Sequence, residues 1–73
     1  MKIFFTRHAK SRMRERRISK ENVVEVMRSP QPQEIIGQDR YQFYRHFGKR
    51  FIRVTCQFEK GIFVIITAVD KNS

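Results

Sequence analysis

An α+β fold, with two N-terminal helices packed on one face of a four-stranded antiparallel β-meander, is predicted by three features of the 73-residue sequence. Residues 7 to 17 contain no Gly, Pro or β-branched side chain, whereas residues 33 to 69 are rich in β-branched and aromatic ones. Between these halves Ser29-Pro30-Gln31-Pro32 interrupts the chain, because the residue before a proline avoids helical backbone. Two Gly-containing turns, Gly48-Lys49 and Glu59-Lys60-Gly61, then punctuate the second half as hairpin loops do.

Each element has its own local cause. Thr6 can cap a helix that begins at Arg7, since its hydroxyl can accept a bond from an orphan N–H of the first turn. Ile18 and Ser19 form a turn, and Ser19 caps a second helix in which Glu21 meets the positive end of the helix dipole. That helix runs to about Arg28 and turns Val23, Val24 and Met27 inward. Strands are expected at 33–37, 40–47, 50–58 and 62–69, and Met1 to Phe5 can add an edge strand.

The turns also set a register. A two-residue loop at Gly48-Lys49 pairs Phe47 with Arg50, and hence Phe43 with Val54 and Tyr44 with Arg53. A three-residue loop at Glu59-Lys60-Gly61 pairs Phe58 with Ile62 and Arg53 with Thr67. One sheet face then carries Tyr41, Phe43, Ile52, Val54, Cys56, Phe58, Ile62, Val64, Ile66 and Ala68 for the helices to cover. The other carries Tyr44, Arg53 and Thr67 in one row, flanked by a row of His46, Phe51 and Val69 and a row of Gln42, Thr55 and Ile65.

Length and composition bound the functional classes. The chain makes one domain, residues 1–73, too short for a large core, so a homodimer or a bound partner could supply part of its stability. A single cysteine, Cys56, permits no internal disulfide, and no Cys/His spacing or carboxylate cluster suggests zinc or magnesium. Neither a metal nor a cofactor is expected. With no signal-peptide core and no membrane span in the sequence, a cytoplasmic location is expected.

Sixteen Lys and Arg against seven Asp and Glu leave a net charge of +9. Arg7, Lys10, Arg12, Arg14, Arg16 and Arg17 lie within the first helix, with Glu15 the only acid among them. This field favours phosphate contact, so these six residues, with His46 as a stacking residue, are the candidate nucleic-acid-binding set. His8, Arg12 and Arg16 form one stripe; Arg7, Lys10, Arg14 and Arg17 form another; Ala9 and Met13 lie between them as a packing seam. Metal-independent RNA cleavage needs a base, a cation for the charged phosphorane and an acid. His8 is the candidate base or acid, Arg53 with Arg12 and Arg16 the candidate cations, and Tyr44 or Thr67 the candidate phosphate-orienting groups.

Residues 6 to 19, T-R-H-A-K-S-R-M-R-E-R-R-I-S, resemble the opening of the domain-of-unknown-function family 4258. Thr6, His8, Ala9, Arg12, Met13, Glu15, Arg16, Ile18 and Ser19 fit its helix-and-turn pattern, and Val23, Pro30, Tyr44 and Thr67 fall where the later pattern places them. By fold the resemblance extends to the RelE and BrnT toxins and the wider barnase, EndoU and colicin D group. It therefore implies a RelE-like domain and cleavage of RNA, including ribosome-bound mRNA. Related sequences often read Thr-x-Tyr in the last strand, where this chain has Thr67-Ala68-Val69.

The expected function is RNA binding, with metal-independent endoribonuclease activity as the toxin half of a toxin–antitoxin pair, the antitoxin being acidic. The alternatives are a non-catalytic RNA-binding or regulatory module and a subunit that docks on an acidic protein.

Overall fold

The computed structural model describes residues 1–28 and 33–72, so the Ser29–Pro32 break lies outside the described residues. The elements are β1 (Lys2–Phe5), α1 (Arg7–Glu15), α2 (Lys20–Arg28), β2 (Gln33–Gly37), β3 (Arg40–Phe47), β4 (Arg50–Glu59) and β5 (Ile62–Asp70). The α+β class holds, but the sheet has five strands in the order β1-β5-β4-β3-β2 and is mixed. The four-stranded antiparallel description therefore requires correction. Strands β2 to β5 form the antiparallel meander, and β1 adds to β5 in parallel.

Both helix starts form as their caps dictate. Thr6 Oγ1 accepts from the Ala9 N–H at 3.0 Å and donates to the Ile65 carbonyl at 3.0 Å, fixing the start of α1 beside β5. Ser19 and Asn22 cap α2 reciprocally, each backbone N–H bonding to the other's side chain. The end of α1 is equally specific. Arg17 takes a left-handed conformation (φ 55), the Ile18 N–H reaches the Met13 carbonyl and the Arg17 N–H reaches that of Arg14. This is a Schellman ending, with Ile18 and Met13 buried together beneath it.

The core lies between the helices and one sheet face. It comprises Ala9 and Met13 of α1, Ile18, and Val23, Val26 and Met27 of α2, over Phe43, Ile52, Val54, Cys56, Ile65 and Ala68. Val26 replaces the expected Val24 because positions 23, 26 and 27 follow the three-and-four spacing of one helix face.

The β3–β4 register is the predicted one, with Tyr44 opposite Arg53 and Phe47 opposite Arg50. The β4–β5 register is not. Glu59 pairs with Ile62 around a two-residue loop in which Lys60 (φ 49) and Gly61 (φ 79) are both left-handed. That shift by one turns Ile65 inward and Val64 outward, reversing their expected faces. A bulge then restores the alternation: Cys56 pairs with Ile65 but Thr55 pairs with Thr67, leaving Ile66 as the additional residue. Ala68 returns to the core face opposite Val54. The expected Arg53–Thr67 pair is replaced by Arg53–Val69, and Thr67 sits one row away beside Thr55.

Candidate nucleic-acid interface

The face of the sheet turned away from the helices carries three rows of side chains. The first places Glu34, Gln42, Thr55 and Thr67 across β2, β3, β4 and β5. The second places Tyr44, Arg53 and Val69 across β3, β4 and β5, and the third pairs His46 with Phe51.

The aromatic members are ordered relative to one another. Phe51 stacks on His46 at 4.2 Å between ring centroids and on Tyr44 at 5.6 Å, with planes within about 20° of parallel. Phe51 is thus held between two rings, and His46 is the exposed end of the stack. Beside it, polar groups are joined in a chain. The Tyr44 hydroxyl bonds to Gln42 at 2.8 Å and to Glu34 at 3.1 Å, and the Gln42 amide donates to Thr55 Oγ1 at 3.3 Å. Burial and the Glu34 carboxylate raise the Tyr44 pKa against an opposing pull from Arg53, so the phenol remains a proton donor at neutral pH. Arg53 Nε is buried and has no hydrogen-bond partner among the described residues.

Helix α1 is brought to this face by the sheet topology. Strand β1 covers β5 as far as Ile65, so among the described residues the remainder of β5 has no strand on that side. The helix runs along this open edge, and Arg16 donates to the Ala68 carbonyl at 3.0 Å and to Thr67 Oγ1 at 3.2 Å. Arg16 consequently seals a strand edge and touches the sheet face at once. Arg50 secures the same corner by bonding to the Arg16 carbonyl and to the Asp70 carboxylate.

The predicted site residues therefore separate. Tyr44, Arg53 and His46 gather on the uncovered sheet face, Thr67 lies one row along it, and Arg16 reaches Thr67 from the helix. Among the described residues His8 makes no hydrogen bond to Tyr44, Arg53 or Thr67; it is exposed on the stripe that ends in Arg16. Arg12 pairs with Glu15 at 3.4 Å. Arg7, Lys10 and Arg14, with Ser11, line a depression of about 340 Å³ on α1, and Arg17 is exposed at the helix end. Glu34 has no counterpart among the sequence-predicted site residues. Its place next to Tyr44 depends on the β2–β3 register, and β2 has no hairpin signal as clear as Gly48-Lys49.

A family model described as Domain of unknown function (DUF4258) matches residues 5–70. The chain belongs to the DUF4258 family. No curated protein and no solved structure matches it. Within the opening segment that carries the DUF4258 likeness, Thr6 and Ser19 cap helices, while Ala9, Met13 and Ile18 are core. Arg16 seals the β5 edge and Glu15 pairs with Arg12. His8 alone among the matching residues of this DUF4258 segment is neither packed nor bonded among the described residues.

Proposed function

We propose that the chain binds single-stranded RNA on the uncovered sheet face. The observation that carries this reading is the Tyr44–Phe51–His46 ring stack set beside Arg53, whose Nε is buried without a partner among the described residues. A base can extend the stack at its exposed His46 end, where stacking contributes about 1 to 3 kcal/mol per base. The Arg53 guanidinium beside the stack supplies the positive charge for a backbone phosphate. The net charge of +9 adds long-range attraction.

Titration of a labelled single-stranded RNA tests the reading. Phe51→Ala should weaken binding roughly 5- to 150-fold, the equivalent of one lost stacking platform. Arg53→Gln should lower the slope of log affinity against log salt by about 0.7, the counterion share of one phosphate. Binding that is absent at low salt, or indifferent to both variants, defeats the proposal.

RNA cleavage is the second reading, and the freedom of His8 is what favours it. Every other opening residue that fits the family pattern caps, packs or pairs among the described residues, which leaves the imidazole available to exchange a proton with a ribose hydroxyl or leaving oxygen. On this reading the chain is a RelE-like toxin that acts on mRNA in the cytoplasm and is restrained by an acidic antitoxin. Incubating RNA with the protein in EDTA should give 2′,3′-cyclic phosphate ends that His8→Ala does not produce. Intact RNA from pH about 5 to 9, a span covering imidazole titration, ends the cleavage reading and leaves binding standing.

A further inference from the structure

We propose that α1 is a second, base-independent contact for the same RNA strand, so that the backbone leaves the sheet face, crosses the β5 edge and lies along the helix. This rests on the reading that single-stranded RNA occupies the sheet face. At 3.6 residues per turn, Arg7, Lys10, Ser11 and Arg14 fall within about 100° of one another, on the side of α1 away from the Ala9–Met13 seam. They line one depression, and among the described residues the three cations have neither hydrogen bonds nor ion pairs. Arg16, Arg12 and His8 occupy the intervening arc, and Arg16 already touches Thr67 on the sheet face. The one acid on this arc, Glu15, is held by Arg12. Cationic side chains therefore recur from Arg53, past Thr67 and Arg16 at the β5 edge, to the depression on α1, with Glu15 neutralised on the way by Arg12.

The chemistry of the two ends differs. The sheet face offers Tyr44, Phe51 and His46 to bases. The depression on α1 offers guanidinium, ammonium and hydroxyl groups and no ring, which suits phosphates whatever base they carry. The strand should thus be read by its bases at one end and by its backbone alone at the other.

The test compares RNAs of about 5 and about 16 nucleotides, lengths that bracket the range for a single small binding face. At about 0.15 M salt a Debye length of about 8 Å limits cross-talk between the faces. The longer RNA should bind about tenfold or more tightly, and should keep that advantage when its additional nucleotides are abasic. R7Q/K10Q/R14Q should collapse the long-to-short ratio toward one and reduce the salt slope for the long RNA by about 2, the share of three phosphates. K49Q/K60Q/K71Q removes the same charge from hairpin and C-terminal positions and should leave the ratio intact. A ratio that survives the helix variant, falls equally in the control, or vanishes with abasic extensions overturns the wrapped path while leaving sheet-face binding in place. Failure of the short RNA to bind at all overturns both.

Discussion

Asp70 shows how much one carboxylate can organise at the end of a small fold. Its oxygens accept from the Asn72 N–H at 3.0 Å, from Arg50 Nε at 3.0 Å and from the Phe51 N–H at 3.2 Å. These bonds, chiefly the Asn72 N–H and then the Arg50 guanidinium, hold its pKa below the ordinary carboxylate value against a smaller opposing effect of burial. A depressed folded-state pKa stabilises the fold above the unfolded pKa of about 3.9, and that contribution is lost as pH falls through the folded value. Asp70→Asn should therefore lower urea resistance at pH about 7, and the gap to wild type should narrow as pH falls below the ordinary carboxylate range and through the lowered folded-state value. A gap that is constant with pH would mean that the carboxylate's charge is immaterial. Cys56 behaves in the opposite sense, since burial pushes its thiol up to about 11 and leaves it unreactive in the closed structure.

At the level of elements, the ending of α1 contains a residue poorly matched to its conformation. Arg17 occupies the left-handed position of a Schellman ending, where glycine fits with least strain. Arg17→Gly should raise stability by on the order of 1 kcal/mol in thermal or urea unfolding. It should at the same time weaken RNA binding if the side chain's charge is what keeps arginine there. A variant that is less stable than wild type would show that the Arg17 side chain has a structural partner in solution.

The same elements show what could be read from sequence. Gly48 (φ 57) opens the β3–β4 hairpin, a position for which glycine is suited, and every pair of that ladder follows from it. The β4–β5 hairpin resisted for two physical reasons. Lys60 adopts a left-handed conformation that lysine seldom takes, which shortens the loop by one residue. Ile62 to Ile66 is an unbroken apolar run, so no alternation marks which side chains face the core or where the bulge falls. The helix caps were legible because each is a local pattern of one polar side chain and a few backbone groups. Arg16 at the β5 edge was not, because its partners lie fifty-one and fifty-two residues away in sequence.

For the whole molecule, the decisive junction is between the two ends of the chain. Strand β1 pairs with β5, Thr6 bonds to Ile65 across fifty-nine residues, and α1 packs chiefly on β5. The basic helix thus lacks its main packing surface until β5 is in place. Until then it is an unanchored polycation, and its apolar seam of Ala9 and Met13 stays uncovered. A chain stopped at Lys60 should consequently show no cooperative unfolding and little helical circular dichroism. A pause in synthesis ahead of β5 would thus prolong the interval in which this cationic helix can adhere to whatever anion lies nearest.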